Sequence, residues 1–397
     1  MKKIAADALL PFYNPAPIVF CRGDGALLFD TKGKSYIDFC AGIATNSLGN
    51  SNKELADHLY NQAQSLVHVS NLFLNDQVIG LADKLTKITA FDQVFFGNSG
   101  NEAIEAAIKI ARYYAYKVSG DKDRNKIISF QNAFHGRSML NISLGGNADY
   151  QRGFGPMLSG IAQAGFNDFS SVEAIMDDNV AAVIVETIQG EGGINTADIQ
   201  FLSDLKAICE HYGALLIFDE VQTGGGRTGY LFDYQRVGVE PDILCFGKGI
   251  GGGFPIAGVL VKRHVGQYMT PGLHGSTMGG NPLACSVATF VLDTITQPGF
   301  LQEVREKADV FEDSLRKMAE TCRGITSVRG RGLLRGIQIE STAPHTAQKV
   351  QQELLNNGLV TSTAKGNVLR LTPPLNIDRM KLEEGIEILA HKLPQLL

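Results

Sequence analysis

The chain has 397 residues, of which 44% are hydrophobic and 19% are charged. This balance is typical of a globular protein with one or two buried cores, and it excludes a disordered polymer. The net charge is −5 and the basic residues are scattered, so nucleic acid is not expected as a partner.

The cysteines and the apolar runs bear on the cellular compartment. The six cysteines have neither paired metal-ligand spacing nor the density of a disulfide-rich secreted domain. Asp7 and Pro11 interrupt the apolar run near the N-terminus, which makes it a poor secretion signal. No run approaches the ~20 apolar residues that a membrane helix needs. We therefore expect a cytoplasmic protein with reduced thiols, no metal and no membrane partner.

The first 50 residues contain two predicted strands, at 26–30 and 36–39. This segment is too short to bury a core alone, so we expect it to join a smaller C-terminal domain. Residues 51–297 are predicted to form the large domain. Within it, apolar runs alternate with segments of helical period, which is typical of a parallel sheet covered by helices on both faces. The predicted strands are 93–96, 126–130, 180–186, 214–219, 242–246 and 257–262, and the predicted helices include 101–117 and 200–212.

Residues 298–397 are predicted to form the small α+β domain. It begins with a helix whose apolar positions, from Leu301 to Met318, recur at alternate spacings of three and four. A strand at 334–339, a helix that ends before Gly358 and a strand at 368–371 follow. The sequence therefore predicts an α/β fold with a large and a small domain.

Glycine clusters indicate where a ligand binds. The chain has 44 glycines, and several of them form clusters just after predicted strands. These clusters lie at 97–100, 190–193, 224–226 and 247–253. In open α/β sheets, ligands bind at the carboxyl ends of the strands, so we expect the site at this edge.

Lys248 and Asp219 are the first candidate catalytic residues, because each follows or ends a predicted strand. A lysine held away from solvent has a lowered pKa and supplies the neutral amine that a Schiff base requires. A surface lysine at a turn is the ordinary alternative. The Asp219 carboxylate suits a cofactor whose pyridine nitrogen must stay protonated. A helix cap or a metal carboxylate is the alternative, although no His or Cys lies at ligand spacing.

Two further motifs suit the same kind of cofactor. Ser99, Gly100 and Asn101 lie between a predicted strand and a helix, where free amides bind phosphate. An ordinary N-cap at Ser99 explains this turn equally well. Phe134 could cover a flat aromatic ring and Arg137 could bind a carboxylate, with core packing and a surface ion pair as alternatives. The order of these motifs along the chain is more specific than any one of them.

Six runs of the chain resemble the class III aminotransferases. They are VFFGNSGNEAIEAAIKIAR (94–112), AFHGR (133–137), VIVETIQGEGG (183–193), FDEVQTGGGRTG (218–229), GKGIGGGFPIAG (247–258) and HGSTMGGNPLA (274–284). The resemblance extends over nearly the whole chain. It implies pyridoxal 5'-phosphate (PLP) as cofactor, fold type I of the PLP-dependent transferases, as in aspartate aminotransferase, and a homodimer with a shared active site.

The resemblance also implies roles for single residues. Lys248 would bind PLP covalently and then carry a proton, and Asp219 would pair with the pyridinium nitrogen. Phe134 would stack on the ring, and Gln222 would lie near the ring oxygen. The remaining implied cofactor contacts are Ser99, Gly100, Asn101, Glu220 and Val221. Thr277 would contact the cofactor of the partner subunit in the same way.

The implied substrate contacts are fewer. Arg137 matches an arginine that binds the α-carboxylate of an acylated ornithine, and Ser276 matches a nearby substrate contact. Arg370 matches an arginine that binds the α-carboxylate of glutamate, and Glu191 matches the acid that masks it. The implied reaction, a step of arginine biosynthesis, transfers the terminal amino group of N2-acetylornithine to 2-oxoglutarate. It gives N-acetylglutamate 5-semialdehyde and glutamate.

Three alternatives stay open. One is another donor of the same class: succinylornithine, succinyl-diaminopimelate, ornithine, 4-aminobutyrate or an acylated lysine. The second is racemisation or decarboxylation with the same cofactor, which the Glu191 and Arg370 pair disfavours because only a reaction with two carboxylated partners needs a maskable arginine. The third is a non-catalytic binding protein on this fold, which would be expected to lose Lys248 or to append a DNA-binding segment.

Overall fold

The computed structural model describes residues 8–121 and 123–397. In chain order, its strands are β1 (Phe20–Asp24), β2 (Leu27–Asp30), β3 (Ser35–Asp38), β4 (Gln93–Gly97), β5 (Lys126–Phe130), β6 (Ile161–Ala164), β7 (Val180–Glu186), β8 (Ile188–Gln189), β9 (Asn195–Thr196), β10 (Leu215–Asp219), β11 (Ile243–Phe246), β12 (Ala257–Val261), β13 (Ile325–Arg331), β14 (Leu334–Ile339), β15 (Leu359–Val360), β16 (Ser362–Ala364) and β17 (Val368–Leu371).

The helices that carry the argument or cover the sheets follow the same order. They are α1 (Lys53–Ser65), α2 (Asp76–Ile88), α3 (Gly100–Ser119), α4 (Met139–Leu144), α5 (Ala148–Gln151), α6 (Phe169–Glu173), α7 (Ile199–Tyr212), α8 (Tyr234–Val237), α9 (Arg263–Gly266), α10 (Pro282–Ile295), α11 (Phe300–Thr321), α12 (Ala347–Asn356) and α13 (Arg379–Leu396). None of the helices in the described ranges is long and apolar enough to cross a lipid bilayer.

The central sheet has seven strands in the order β4-β12-β11-β10-β7-β5-β6. Strands β6, β5, β7, β10 and β11 are parallel, whereas β12 runs antiparallel to both of its neighbours. All seven residues of β7 are buried, since helices cover both faces, and this burial explains its continuous apolar run. The predicted α/β fold with a mostly parallel sheet is confirmed, and the six predicted strands agree with the observed ones to within a residue or so at each end.

The direction of the strands brings the predicted motifs to one edge. Strand β4 runs in the same direction as β11, because both are antiparallel to β12. The turn that follows β4 therefore lies at the same edge as the carboxyl ends of β5, β7, β10 and β11. Residues 98–101, 131–137, 186–191, 219–222 and 247–253 meet there, as expected for a ligand site in an open α/β sheet.

Helix α3 begins at this edge with a capping box. The Ser99 hydroxyl accepts a hydrogen bond from the Glu102 amide, and the Glu102 carboxylate accepts the Ser99 amide in return. One face of the helix, with Ala103, Ile104 and Ala107 among its residues, packs against the sheet. A fixed helix start positions the first free amides at the sheet edge.

The small domain contains a four-stranded antiparallel sheet in the order β13-β14-β17-β16. The predicted helix that ends before Gly358 is α12, and the predicted strand at 368–371 is β17. A second four-stranded sheet joins the N-terminal strands β1, β2 and β3 to β15, with β3 and β15 parallel. The domain limits at 1–50, 51–297 and 298–397 stay a prediction.

Candidate active site

A cavity of about 510 Å³ opens at the carboxyl edge of the central sheet. Nine of the residues predicted from the sequence line it: Gly100, Asn101, Phe134, Arg137, Glu191, Asp219, Val221, Gln222 and Lys248. Five others do not line it: Ser99, Glu220, Ser276, Thr277 and Arg370. The structure thus brings most of the predicted residues, which are widely separated in sequence, around one cavity.

Lys248 is the first residue after the short link from β11, and it begins the 3₁₀ turn Lys248–Gly251. Its φ of +44° lies in the left-handed region, which costs a non-glycine residue about 1–3 kcal/mol. Burial lowers the pKa of its ammonium group from 10.5 to about 8; among the nearby charges Glu191 opposes this change and Arg370 adds to it. The amine is therefore partly neutral near physiological pH, which an attacking amine requires.

Asp219 is the last residue of β10, and hydrogen bonds fix both of its carboxylate oxygens. Oδ2 lies 2.7 Å from Nδ1 of His135, and Oδ1 accepts the Val221 amide at 3.0 Å. The His135 side chain is buried, and its Nε2 has no partner among the described residues. With Nδ1 donating to Asp219, the imidazole holds the carboxylate in one orientation.

Glu186 is a second carboxyl group at the base of the cavity. It ends β7 and lies directly opposite Asp219 in the sheet register, and its carboxylate accepts the Phe134 amide at 3.1 Å. Burial raises the pKa of Glu186 well above its usual value, and the charge of Asp219 raises it further. Both causes favour the protonated form of Glu186 compared with an exposed glutamate.

Sequence reasoning gave no role to Glu186 or His135. The signal for Glu186 was available, because it ends a predicted buried strand as Asp219 does. His135 lies inside the AFHGR run, but only the fold brings it to Asp219, 84 residues away in sequence.

The AFHGR run forms a loop that the Asn101 side chain holds in place. Oδ1 of Asn101 accepts the amides of Arg137 and Ser138, each at 2.9 Å, and Asn141 donates to the same oxygen at 2.8 Å. Gly136 has a φ of +126°, and a Cβ there would lie 2.5 Å from this oxygen. Only glycine fits this position, so the helix start and the loop are fixed together.

Arg137 lies on the exposed side of the cavity. Its guanidinium carbon is 3.6 Å from the ring centroid of Tyr150, which in turn packs edge-on to Phe134 with 6.2 Å between centroids. No carboxylate within the described ranges pairs with Arg137. Stacking covers one face of the guanidinium and leaves its edge N–H groups available for a carboxylate.

Arg370 and Glu191 form the ion pair that the family resemblance implied. Arg370 is 1% exposed and comes from β17 of the small domain, whereas Glu191 lies in the β8–β9 hairpin of the large domain. The guanidinium also donates to Ser362 Oγ and to the Gly190 carbonyl, each at 3.0 Å. The Glu191 side chain is 26% exposed and that of Arg370 only 2%, so solvent reaches the carboxylate far more than the guanidinium.

The other predicted residues have different partners. Ser99 is occupied as the N-cap of α3. The Glu220 carboxylate is fully buried and accepts the amides of Asp233 and Tyr234, and burial raises its pKa to about 8. Ser276 Oγ accepts the Gly279 amide, and Thr277 is exposed outside the cavity.

The cavity fits a pyridine ring that carries a phosphate. Oε1 of Gln222 is buried and has no hydrogen-bond partner in the part of the chain that the structure describes. It lies with Asp219 and Lys248 in the lining. The amides of Gly100 and Asn101 lie in the first turn of α3, where backbone N–H groups have no partner within the helix and suit an anion. This fold and this site together define a PLP-dependent enzyme of fold type I.

Comparison with known proteins narrows the class. The family model "Aminotransferase class-III" matches residues 11–393. The chain is 44% identical to acetylornithine/succinyldiaminopimelate aminotransferase of Buchnera aphidicola subsp. Acyrthosiphon pisum, over 98% of this chain and 95% of the relative. It is 43% identical to succinylornithine transaminase of Photorhabdus laumondii, over 95% and 94%.

A solved structure agrees with these relatives. Ornithine aminotransferase from Toxoplasma gondii, with partial occupancy of PLP at its active site, superposes with a TM-score of 0.94 and 34% identity. The match covers 99% of this chain and 94% of that one. The chain belongs to the class III aminotransferases, and its cofactor is PLP.

Proposed function

We propose that the chain transfers the terminal amino group of N2-acetylornithine to 2-oxoglutarate, as in arginine biosynthesis. The products are N-acetylglutamate 5-semialdehyde and glutamate. The observation that carries this proposal is the Glu191–Arg370 ion pair beside the amine of Lys248.

The ion pair allows one site to accept two unlike substrates. The amine-bearing end of the donor has no carboxylate. While it occupies the site, Glu191 neutralises Arg370, so no unpaired guanidinium lies beside it. When 2-oxoglutarate enters, its α-carboxylate replaces Glu191 on the guanidinium. Replacement is favourable because Arg370 is already held by Ser362 and Gly190 and does not need to reorganise.

Arg137 supports an α-amino acid derivative as the donor. Its edge N–H groups can bind the α-carboxylate of an acylated ornithine in a fork while Tyr150 supports the guanidinium plane. The two contacts then lie at opposite ends of the donor: a carboxylate at Arg137 and the reacting amine at Lys248. An ω-amine without an α-carboxylate would lose the first contact.

The chain's own residues perform four tasks around the cofactor. When bound, PLP withdraws electrons from the amine-bearing carbon of the substrate. Asp219, fixed by His135, would hold the pyridine nitrogen, and the start of α3 would hold the phosphate. Lys248 Nζ removes the proton from the amine-bearing carbon, because burial keeps part of this amine neutral. The Phe134 ring would cover one face and exclude water.

Succinylornithine is the second candidate donor. The relatives include both acetylornithine/succinyldiaminopimelate aminotransferase and succinylornithine transaminase at nearly equal identity. Both donors share the α-carboxylate and the terminal amine that this site would bind, and they differ only in the acyl group.

The test is to follow each half-reaction of the PLP-loaded protein by its visible absorption. We expect N2-acetylornithine to bleach the band, 2-oxoglutarate to restore it, and 4-aminobutyrate to act far more slowly. A faster reaction with 4-aminobutyrate or with ornithine would contradict the proposed donor. Comparison with N2-succinylornithine would decide between the two acyl groups.

We also propose a homodimer that completes the site with Thr277 of the partner subunit. The segment Leu72, Phe73 and Leu74 is 84%, 68% and 83% exposed, which is unusual for large apolar side chains. Asn71 donates to the carbonyls of Ser276 and Gly279, so this apolar segment and the Thr277 loop share one surface. Light scattering should give twice the mass of the chain, and Phe73→Asp should shift it toward the monomer; a monomeric wild type would contradict the dimer.

A further inference from the structure

A second cavity, of about 540 Å³, lies between the small domain and the β8–β9 hairpin. Arg316 from α11 and Arg329 and Arg331 from β13 line it, and no acidic side chain does. Much of the remaining lining is amide and hydroxyl groups, with Gln131, Asn167 and Thr196 among them. A cavity of this composition presents positive charge and hydrogen-bond donors to whatever enters it.

The neighbouring acidic groups do not neutralise this charge. Glu312 pairs with Arg316 at 2.6 Å and with the buried Arg335 at 2.6 Å, so one carboxylate serves two guanidinium groups. Arg331 is exposed, and its side chain has no hydrogen bond or ion pair within the described ranges. Burial lowers the pKa of Arg335, and the charge of Arg331 acts in the same direction. The cluster therefore carries more positive charge than it can pair internally.

Arg329 connects the cavity to the hairpin that carries Glu191. Its guanidinium donates to Asn195 Oδ1 at 2.9 Å and to the Gly193 carbonyl at 3.3 Å. On the other strand of the hairpin, directly opposite Asn195, Gln189 donates to the Gln131 carbonyl at 2.8 Å. Both hairpin strands thus contact the cavity lining, while Glu191 between them faces the active site.

We propose that the second cavity binds a small oxyanion with a charge of −2 or more, such as inorganic phosphate or a dicarboxylate. The bound anion bridges Arg331 to Arg329, whose guanidinium already donates to Gly193 and Asn195, and so holds residues 188–196 in the position in which Glu191 pairs with Arg370. Guanidinium forks suit the oxygens of phosphates and carboxylates, and an anion there relieves the repulsion among the arginines. This site lies outside the active-site cavity, and anion binding there does not depend on which donor the enzyme uses.

The binding test titrates inorganic phosphate into PLP-loaded protein at constant ionic strength, with chloride as the balancing ion. Using loaded protein keeps the phosphate-binding turn of the active site filled. We expect saturable binding by calorimetry, weakened about tenfold in Arg331→Gln, since one charge-assisted contact is lost. Arg331→Lys, which keeps the charge, should lie between. A parallel titration with malonate separates phosphate from dicarboxylate.

Arg323→Gln is the matched control, because Arg323 is exposed, precedes the same strand and does not line the cavity. It should bind phosphate as the wild type does. Equal affinity in wild type and Arg331→Gln, or no saturable binding beyond that of chloride, would overturn the site.

Hydrogen exchange tests the link to the hairpin without an activity assay. Phosphate should slow the exchange of amides in residues 188–196 in the wild type and in Arg323→Gln, and much less in Arg331→Gln. Binding without any change in the exchange of this segment would overturn the proposed hold on the hairpin.

Discussion

The base of the active-site cavity and its outer rim are built in different ways. At the base, Asp219 and Glu186 end buried strands and are held by backbone amides or a buried histidine, and Lys248 follows β11 by two residues. At the rim, Arg137 is exposed, and Glu191 meets an arginine from the other domain. We infer from this difference that the sheet positions the groups expected to perform the common chemistry, whereas the proposed substrate contacts lie where solvent and ligands can reach them.

The largest expected effect is at the base. Lys248→Ala should lower kcat by about 10⁴-fold or more, because both the covalent bond to PLP and the proton carrier are lost. Lys248→Arg is the control for charge and should be equally inactive. Steady-state rates together with the visible spectrum measure this. Full turnover by Lys248→Ala would contradict a catalytic role for Lys248.

Asp219→Asn should have the second largest effect. Losing the anion beside the pyridine nitrogen should lower kcat by about 10²–10³-fold, with a small change in KM. Asp177→Asn, which removes a surface ion pair with Lys126, should leave kcat unchanged. If both variants behaved alike, Asp219 would be structural only.

At the rim the effect should fall on one substrate. Arg137→Leu should raise the KM for N2-acetylornithine by about 10²-fold, since a bidentate contact to a carboxylate is lost. The KM for glutamate in the reverse direction should not change, because its carboxylate would bind Arg370. Arg152→Leu, at an exposed position nearby, is the control. An equal rise for both substrates would contradict separate carboxylate sites.

The pH dependence of cofactor capture distinguishes a buried lysine from an exposed one. Only the neutral amine reacts, so the rate at which cofactor-free protein captures PLP should rise about tenfold per pH unit up to a pH of about 8 and then level off. An exposed lysine would continue to rise toward its usual pKa of 10.5. Stopped-flow absorbance measures the capture rate as a function of pH. A rate that still rises steeply at pH 9 would contradict the lowered pKa of Lys248.

The smallest effect is expected at Ser99, which the structure assigns to the helix start. Ser99→Ala should destabilise the protein by ~1 kcal/mol, because the capping box is lost. The affinity for PLP and kcat should stay unchanged. Denaturant unfolding measures the stability, and a PLP titration measures the affinity for the cofactor. A clear loss of PLP affinity would indicate that the Ser99 side chain contacts the cofactor.

The buried strands could be predicted from the sequence because a strand that is buried on both faces is a continuous run of apolar residues. In β7 and β10 every residue is buried, so the apolar run and the strand have nearly the same ends. The edge strand β6 was missed, since it has four residues, most only partly buried, and contains Gln163. The antiparallel direction of β12 was also missed, although residues 247–256 are too few for a parallel crossover.

The base of the site was more predictable than its rim. Lys248 and Asp219 became candidates from their positions just after and at the end of predicted strands, and the order of the motifs then favoured them over their ordinary alternatives. Glu191 and Arg370 are 179 residues apart, and only the resemblance to a family paired them before the structure did. Tyr150 left no signal, because it lies in the short helix α5 outside every motif and acts through its contact with Arg137.

The most direct test of the account is borohydride reduction of the PLP-loaded protein, followed by proteolysis and mass spectrometry. The account predicts one reduced pyridoxyl adduct, on the peptide that carries Lys248, and its loss on prior incubation with N2-acetylornithine. An adduct on another lysine, or no adduct at all, would contradict it.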